Sequence, residues 1–278
     1  MSDIKQLISI IIPVYNESES IGFLLDEVIN VMSFHEFNFE LIVVNDGSKD
    51  NTYQVLKELT LKIKELSVIS LRKNYGQTAA MSAGFDNSKG DIIITLDGDL
   101  QNDPNDIPTL ISEINDGYDL ICGWRFDRKD KLINRKIPSK IANKLIAHVT
   151  GLKLHDYGCS LKAFKKEIID DIKLYGELHR FLPVLANIEG ARIKEIKVNH
   201  RSRQYGSSKY GIDRTFRVLM DLLTVWFMTK FLTRPMYGFG FVGIISIFIS
   251  LAMSSYLIVL KIMGEDIGNR PLLMFALI

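Results

Sequence analysis

The chain has 278 residues, which is enough for one large core plus an additional segment, and it carries 34 Lys and Arg against 33 Asp and Glu. This near balance gives no basic excess of the kind that favours a nucleic-acid partner. The two cysteines, Cys122 and Cys159, argue against a disulfide framework and favour buried thiols in a reducing compartment.

The first 120 residues alternate between predicted strands and predicted helices. Apolar and β-branched runs predict strands at residues 7–14, 41–44, 68–71, 92–96 and 120–122. Apolar residues recur at helical spacing in residues 17–32, and residues 77–88 are also predicted to be helical. Ser48 or Asp50 can cap a further helix that follows the second strand. This alternation predicts an α/β fold with a mostly parallel, doubly wound sheet flanked by helices.

Two carboxylates follow the predicted strand at residues 92–96. Asp97 and Asp99 lie two residues apart, and the carboxamide of Gln101 follows two residues later. In an open α/β sheet, ligands bind at the carboxyl ends of the strands. Two carboxylates and an amide oxygen at that edge suit Mg²⁺ or Mn²⁺, which also coordinate substrate phosphates. A solvated acidic turn is the alternative, but the preceding strand favours the metal site.

A dinucleotide-binding fold is the main competitor for this strand pattern. The turn after the first predicted strand, residues 13–17, contains no glycine, and no Gly-x-Gly-x-x-Gly pattern lies near it. Without those glycines the backbone cannot approach a pyrophosphate as closely as that fold requires. The sequence therefore argues against a nicotinamide-dependent enzyme.

Two segments combine cations with apolar residues at helical spacing. Residues 133, 137, 141 and 145 are apolar and four apart, and eight Lys or Arg lie between Arg125 and Lys144. Such a helix is either a solvated surface helix or one that lies on an anionic membrane. A nearby membrane span favours the second interpretation. Residues 211–234 likewise predict a juxtamembrane amphipathic helix.

Residues 236–260 form an apolar segment of 25 positions without a charged residue. Because roughly 20 apolar residues cross the hydrocarbon core of a bilayer, this segment predicts a transmembrane helix. Arg234 precedes the segment and Glu265 follows it, so the positive-inside rule predicts a cytoplasmic catalytic domain at residues 1–210. A second apolar run begins at Pro271 and predicts a second, incomplete span, so that residues 235–278 form the transmembrane region.

Four segments occur in order along the first half of the chain: residues 9–17, 43–48, 74–77 (Asn-Tyr-Gly-Gln) and 96–101 (Leu-Asp-Gly-Asp-Leu-Gln). Together they resemble glycosyltransferase family 2, which has the GT-A nucleotide-diphosphosugar transferase fold. Three later segments, residues 123–125, 156–159 and 203–210, are similar to those of polyprenyl-phosphate glycosyltransferases. Within that group the chain most resembles the bacterial undecaprenyl-phosphate 4-deoxy-4-formamido-L-arabinose transferases. Dolichyl-phosphate mannosyltransferase-like enzymes are near neighbours.

The resemblance implies roles for individual residues. It implies that the nucleoside is held by Pro13, Tyr15, Glu17, Val44 and Asp46. Asp46 would accept hydrogen bonds from the base. It implies that Asp97, Gly98, Asp99 and Gln101 hold the metal and the donor diphosphate, with Asp99 and Gln101 as direct ligands and Gly98 leaving room for the ligand. Acceptor-phosphate contacts are implied for Arg125, Arg135 and Ser139, and contacts with the donor diphosphate for Arg180, Arg203 and Lys209.

The activity implied by the resemblance is an inverting, metal-dependent sugar transfer from a nucleotide diphosphosugar, favoured to be UDP-linked, to undecaprenyl or another polyprenyl phosphate. Asp97, Asp99 and Arg125 would be catalytic, at the cytoplasmic face of the inner membrane, and a homo-oligomer is compatible with the resemblance. A processive family 2 polysaccharide synthase is disfavoured because its Gln-x-x-Arg-Trp motif is not found. A catalytically lapsed membrane scaffold is disfavoured because the implied site residues are intact.

Overall fold

The computed structural model describes residues 6–126, 137–202, 213–231, 234–268 and 270–277. The chain divides into two compact units, Met1–Val225 and Trp226–Ile278. The first unit contains the sheet and the residues that the sequence analysis connects with catalysis, and the second contains the apolar helix near the carboxyl terminus.

The described part of the first unit contains one seven-stranded sheet in the order β3-β2-β1-β4-β6-β5-β7. Its strands are β1 (Leu7–Val14), β2 (Asn38–Asn45), β3 (Leu66–Ser70), β4 (Ile92–Thr95), β5 (Leu120–Arg125), β6 (Lys162–Lys165) and β7 (Ile193–Val198). All neighbouring pairs are parallel except those of β6, which runs antiparallel to both β4 and β5. The mostly parallel sheet predicted from the sequence is therefore confirmed, with β6 as an antiparallel insertion.

Ten α-helices are described: α1 (Ile21–Phe34), α2 (Thr52–Leu59), α3 (Gln77–Asn87), α4 (Ile107–Asn115), α5 (Ile137–Thr150), α6 (Lys166–Asp171), α7 (Leu182–Ile188), α8 (Asp213–Phe231), α9 (Pro235–Ile262) and α10 (Pro271–Leu277). The N-cap of α2 is Asn51, whose side chain makes no cap hydrogen bond, so neither Ser48 nor Asp50 occupies the predicted cap position. Asp50, one residue before the N-cap, accepts the N–H of Thr52 at 3.0 Å. Ser48 Oγ accepts the N–H of Asn16 instead.

The central strands are buried on both faces, as their continuous apolar sequences require. In β1, Ile10 and Ile12 pack into a core cluster with α1 and α4, while Ile11 belongs to the cluster on the opposite face with α3 and α7. All three are fully buried. Burying each such side chain contributes about 1.5–3 kcal/mol, which makes the three-layer packing the main source of stability.

Parallel pairing brings the carboxyl ends of β1, β2 and β4 to one edge of the sheet. Val14 is paired in register with Asn45 at the ends of β1 and β2, and Ile11 with Thr95 at the end of β4. Asn16, Asp46 and Asp97 lie one or two residues after these strand ends. This edge is where the sequence analysis expected the ligands to bind.

The second unit contains α9, a 28-residue helix that encloses the predicted apolar segment at residues 236–260. It is the one helix of the described chain that is long and apolar enough to cross a membrane. Large apolar side chains such as Phe241 and Phe248 are exposed on its surface. The predicted juxtamembrane helix corresponds in part to α8, and Ile133 of the predicted basic helix lies outside the described residues.

Candidate active site

The loops after β1 and β2 are connected to each other by main-chain-to-side-chain hydrogen bonds. The N–H of Asn16 donates to Ser48 Oγ at 2.9 Å, and the N–H of Lys49 donates to Asn16 Oδ1 at 2.7 Å. The N–H of Glu17 donates to Thr52 Oγ1 at 2.9 Å. Asn16 adopts a left-handed backbone conformation with φ 53°, which asparagine tolerates better than most residues. These bonds fix two of the loops that carry predicted nucleoside contacts.

The five predicted nucleoside residues lie at this connected edge but differ in accessibility. Pro13, Tyr15 and Glu17 are partly exposed, and Glu17 Oε2 accepts the hydroxyl of Ser20 at 3.0 Å. The side chain of Val44 is fully buried in the core cluster that contacts α3. Val44 could therefore contact a nucleoside through its main chain but not through its side chain.

Asp46 is engaged in holding a third loop. Its two carboxylate oxygens accept the N–H groups of Tyr75 at 2.7 Å and Gly76 at 2.9 Å, and the residue is 3% exposed. Burial raises the pKa of Asp46, and the two main-chain hydrogen bonds act in the opposite direction. The structure thus gives Asp46 an anchoring task that the resemblance did not imply, and a base would have to share the same oxygens.

The segment after β4 forms a tight turn around the two predicted metal ligands. Asp99 is 7% exposed, and its Oδ1 accepts the N–H of Gln101 at 3.1 Å. Between them Leu100 adopts φ 60° and is buried in the core cluster beside α1. Asp97 Oδ1 accepts the side-chain amide of Gln77 at 2.7 Å, so the first residue of α3 holds this carboxylate.

Gly98 is constrained by the protein itself. A Cβ atom at this position would lie 2.7 Å from Val14 Cγ1, and the carbonyl oxygen of Gly98 accepts the hydroxyl of Ser20 at 2.8 Å. The resemblance implied that glycine leaves room for the ligand. The structure instead gives a packing reason: the turn lies directly against the end of β1.

Arg125, the last residue of β5, forms a bidentate ion pair with Asp156. Its Nε and one terminal nitrogen donate to the two carboxylate oxygens at 2.7 and 2.9 Å, and both side chains are largely buried. Burial acts to lower the pKa of Arg125, but the hydrogen bonds and charge of Asp156 outweigh it and raise the pKa. Asp97 also contributes to this rise, so Arg125 lies within electrostatic reach of the turn after β4.

The loop that carries Asp156 is fixed from β7. Glu195 accepts the main-chain N–H groups of His155 at 2.9 Å and Asp156 at 2.8 Å. The ring of His155 stacks on Trp124 with 4.1 Å between the ring centroids. Asp156 is therefore a preorganised partner that orients Arg125, and the sequence analysis did not assign it that role.

A second group of buried polar side chains surrounds the same edge. His179 is 8% exposed, and its Nδ1 lies 2.7 Å from the hydroxyl of Thr78, the second residue of α3. Burial lowers the pKa of His179 to about 3, and the charges of Arg180 and Lys162 act in the same direction. His179 is therefore neutral at pH 7.

The two cysteines are buried, as expected for thiols in a reducing compartment. Burial raises the pKa of Cys122 to about 12 and also raises that of Cys159. Both thiols remain protonated at neutral pH and serve as packing groups, Cys122 within β5 and Cys159 in the loop before β6. Neither has the depressed pKa that a nucleophilic cysteine requires.

The chain after β7 is tied to the turn that follows β4. The N–H of Arg201 donates to the carbonyl oxygen of Gln101 at 2.9 Å. The guanidinium of Arg201 pairs with Glu27 of α1 at 2.7 Å and with Asp103 at 2.8 Å. The contacts of Arg201 therefore hold the chain after β7 against the turn that carries Asp99 and Gln101.

Several predicted contacts cannot be assigned a position. Arg135, Arg203 and Lys209 lie outside the described residues, and Ser139 lies in α5 at a position where the side chain is not described. Arg180 is half-buried in the short 3₁₀ turn Leu178–Phe181, immediately after His179. The roles implied for these residues remain predictions.

The structure also identifies partners that the sequence analysis did not assign. Gln77 and Asp156 are part of the segments 74–77 and 156–159, so the signal was present but their contacts were not. Lys162 is a cation between the apolar residues Leu161 and Ala163, which is a signal in the sequence that it could be a special position. For Arg201 nothing in the local sequence indicates the two carboxylates that it contacts.

The chemistry of the turn after β4 fits a hard divalent cation. Asp97, Asp99 and Gln101 offer oxygen donors of the type that Mg²⁺ and Mn²⁺ prefer. The described residues contain no group of three or more His, Cys, Asp or Glu that could hold a metal ion. A cation bound here would need further ligands, such as water and substrate phosphate oxygens.

Comparison with known proteins agrees with these features. Residues 9–173 match the family described as glycosyl transferase family 2. The chain is 46% identical over 276 residues to dodecaprenyl-phosphate galacturonate synthase of Rhizobium johnstonii, which covers 98% of this chain and 82% of that protein. It is 39% identical over 267 residues to undecaprenyl-phosphate 4-deoxy-4-formamido-L-arabinose transferase of Aeromonas hydrophila, covering 95% and 80% of the two chains.

Solved structures share the fold. Glucosyl-3-phosphoglycerate synthase from Mycobacterium tuberculosis, in complex with Mn²⁺ and UDP-glucose, superposes with a TM-score of 0.60. The match covers 81% of this chain and 79% of that chain at 17% sequence identity. The predicted GT-A nucleotide-diphosphosugar transferase fold is thereby confirmed.

Proposed function

The chain belongs to glycosyltransferase family 2, and from this premise we propose that it transfers a sugar from a UDP-linked donor to a polyprenyl phosphate. Similarity over at least 95% of this chain and 80% of each relative, to two proteins whose names contain a polyprenyl phosphate, supports the acceptor class. UDP and Mn²⁺ bound to a protein of the same fold support the donor class and the use of a metal. The proposed transfer inverts the configuration of the anomeric carbon.

One geometric observation carries the proposal. Strands β4 and β5 both run antiparallel to β6, so the turn with Asp97 and Asp99 and the end of β5 with Arg125 lie at one edge of the sheet. The charge of Asp97 also acts to raise the pKa of Arg125. An acidic turn suits a metal-bound diphosphate, and a guanidinium suits a phosphate. The edge therefore offers adjacent sites of opposite charge for a donor diphosphate and an acceptor phosphate.

Asp97, Asp99 and Gln101 would hold Mg²⁺ or Mn²⁺ together with the donor phosphates. When bound, such a cation neutralises charge on the leaving nucleoside diphosphate. Gln77 keeps the Asp97 carboxylate in place by its 2.7 Å hydrogen bond. The hydrogen bond from the N–H of Gln101 to Asp99 closes this turn. It keeps the side-chain oxygens of Asp99 and Gln101 in one short segment, which favours their binding to the same metal ion.

The acceptor phosphate can act as the nucleophile without a strong general base. With a second pKa of about 6, a phosphate monoester is largely dianionic at neutral pH. One of its oxygens forms a bond to the anomeric carbon while the bond from that carbon to the diphosphate oxygen breaks, and UDP leaves with the electron pair. No proton has to be removed from the acceptor in this step.

Arg125, Arg135 and Ser139 are proposed to contact the acceptor phosphate, and Arg180, Arg203 and Lys209 the donor diphosphate. Among the described residues only Asp156 accepts hydrogen bonds from the guanidinium of Arg125, and its other N–H groups are proposed to serve this task. Asp156 fixes the direction of the guanidinium, so that a phosphate meets a preorganised donor set. Pro13, Tyr15, Glu17, Val44 and Asp46 are proposed to surround the nucleoside.

We place the enzyme at the cytoplasmic face of the inner membrane. Helix α9 is proposed to span the bilayer, with residues 1–210 as the catalytic domain and residues 211–234 as an interfacial helix. Lys230 and Arg234 precede α9, and Glu265 and Asp266 follow it, which supports a cytoplasmic position of the catalytic domain. A membrane-bound enzyme meets its water-insoluble acceptor at a high effective concentration.

The experiment that tests this function combines purified full-length protein with undecaprenyl phosphate, Mn²⁺ and a panel of UDP-sugars, followed by mass measurement of the lipid. We expect one donor to give a lipid heavier by that glycosyl residue, with release of UDP. Reactions without the lipid serve as the control for donor hydrolysis. Release of UDP with an unmodified lipid, for every donor in the panel, would contradict the proposed acceptor.

A further inference from the structure

Lys162 is a buried lysine whose position in the sheet is fixed by two neighbouring strands. It is the first residue of β6 and is 3% exposed. In the antiparallel ladders it is paired with Thr95 of β4 and with Cys122 of β5. Because directly opposed residues of antiparallel strands lie on the same face, Lys162 shares one face with Thr95 and Cys122.

Among the residues that the structure describes, the side-chain amine of Lys162 has no carboxylate as an ion-pair partner. It donates a hydrogen bond to the carbonyl oxygen of Cys159. Within the part of the chain that the structure describes, no carboxylate lies within ion-pair distance of it. An ammonium carries three N–H donors, and burying it without a counter-charge is unfavourable. The described part of the fold therefore buries this amine and leaves it without a carboxylate partner.

The location of this charge connects it with the candidate active site. Thr95, its partner in β4, lies two residues before Asp97 in the sequence. His179 is close enough to Lys162 for the lysine charge to contribute to lowering the histidine pKa, and His179 contacts Thr78 of α3. Cys159, whose carbonyl Lys162 contacts, lies near Arg125 as well. The buried ammonium is thus next to the sheet edge that holds both proposed substrate sites.

Two neighbouring cations differ from Lys162 because each is paired with a carboxylate. Arg125 is paired with Asp156 at 2.7 Å. Lys165, at the other end of β6, is paired with Asp119 at 2.7 Å. Each of these cations has its charge balanced within the protein, whereas Lys162 has none of this compensation among the described residues.

We propose that the Lys162 ammonium binds a phosphoryl oxygen of a substrate. This inference rests on the proposed function, since that function brings two phosphate groups to this edge: the diphosphate of the donor and the phosphate of the lipid. Both present the same chemistry, an anionic oxygen that accepts a charge-assisted hydrogen bond. The bound oxyanion would supply the counter-charge that is absent among the described residues.

The test compares Lys162→Met with wild type in two measurements on the full-length protein. Calorimetry with UDP and Mn²⁺ gives the affinity for the donor diphosphate, and initial rates at varied undecaprenyl phosphate give KM for the acceptor. A loss of at least tenfold in UDP affinity would identify the diphosphate as the ligand. A tenfold or larger rise in KM for the lipid, with UDP affinity unchanged, would identify the acceptor phosphate.

Two further variants separate charge from shape. Lys162→Arg keeps the positive charge, so its UDP affinity or its KM for the lipid should change less than that of Lys162→Met. Lys162→Gln provides a neutral polar replacement if the methionine variant does not fold. Lys165→Met, which removes the compensated lysine of the same strand, is the matched control and should leave both parameters within twofold of wild type.

Unchanged UDP affinity and unchanged KM in a folded neutral variant would overturn the inference and leave Lys162 with a structural role. That result would be distinguishable from a failure of the proposed function. In that second case wild type itself would not modify the lipid phosphate, and the UDP measurement would still test Lys162.

Discussion

At the scale of single residues, the acidic turn after β4 shows how the fold prepares the proposed metal ligands. Asp99 closes the turn through the N–H of Gln101, and Asp97 is held by Gln77. Both carboxylates therefore have fixed positions before any ligand arrives. An asparagine at residue 99 could still accept the hydrogen bond that closes the turn, so the charge can be removed with little change in shape.

Asp99→Asn should abolish transfer while the protein stays folded. Because a neutral amide is a weaker ligand for Mg²⁺ or Mn²⁺ than a carboxylate, we expect turnover to fall by roughly 100-fold or more. The measurement is the transfer rate at saturating Mn²⁺ and donor, with Asp116→Asn, an exposed carboxylate at the end of α4, as the control. Near-normal turnover of Asp99→Asn would remove the metal-site hypothesis.

The buried His179 should make the stability of the protein depend on pH. Its pKa is about 3 in the folded chain, against about 6.5 for an unperturbed histidine, so the unfolded chain binds the extra proton between these values. The contribution of His179 to the free energy of unfolding is therefore fully present above pH 6.5 and declines as the pH falls towards 3. At pH 5 the loss is roughly 2 kcal/mol.

The measurement is the free energy of unfolding at pH 5 and pH 7.5 for wild type and His179→Gln. Glutamine cannot titrate, so the variant should show a smaller decrease between the two pH values than wild type does. The carboxylates contribute equally to both proteins and cancel in the comparison. Equal decreases in the two proteins would show that His179 is not held neutral by burial.

At the scale of elements, contacts between segments distant in sequence position the site. The end of β1 touches the turn after β4 at Val14 and Gly98, and the clamp formed by Arg201 connects that turn with α1 and the chain after β7. The turn is thus held from two sides by packing and by ion pairs. Its geometry should respond to a single added methyl group.

Gly98→Ala should destabilise the protein by about 1–3 kcal/mol, because its Cβ would overlap Val14 Cγ1. Val14→Ala removes the atom in conflict, so the double variant should be more stable than the sum of the two single effects predicts. Thermal unfolding of the three variants and wild type gives this coupling. Strictly additive effects would show that the contact with Val14 does not limit the size of the side chain at residue 98.

The sequence predicted those parts of the fold that depend on local patterns. The five predicted strands all occur, although β2 begins earlier than expected because Glu40 interrupts its apolar run while remaining in the ladder. Strand β6 was missed because its short sequence, with Lys162 and Lys165 at its ends, has no period of two and depends on pairing with β4 and β5.

The same distinction applies to the site. Asp97, Asp99 and Gln101 are adjacent in sequence and follow an apolar strand, so their common location could be predicted. The pairing of Arg125 with Asp156 joins positions 31 residues apart, and that of Gln77 with Asp97 joins positions 20 apart. Such contacts follow from the packing of the whole sheet and cannot be derived from local spacing.

At the scale of the whole molecule, the two units differ in the surface they present. The first unit buries its apolar strands between helices, whereas α9 in the second exposes large apolar side chains along its length. An apolar surface of this kind needs a covering, which a bilayer would provide. The proposed membrane anchor would keep the catalytic unit close to a lipid acceptor.

A pair of introduced cysteines tests the proposed orientation. Lys57→Cys, on the exposed face of α2, should resist an impermeant thiol reagent in intact cells, because the catalytic unit would be cytoplasmic. Glu265→Cys, after α9, should be labelled under the same conditions. The native Cys122 and Cys159 are buried and give a low background. The reverse labelling pattern would overturn the orientation.

The central claim is that a lipid phosphate is itself the nucleophile in a sugar transfer at this sheet edge. The most direct measurement compares undecaprenyl phosphate with undecaprenol as acceptors for the purified enzyme, with the same UDP-sugar and Mn²⁺, by the mass of the lipid product. We expect a glycosylated product from the phosphate and none from the alcohol, since no general base is assigned to activate a hydroxyl. Equal transfer to undecaprenol would contradict it.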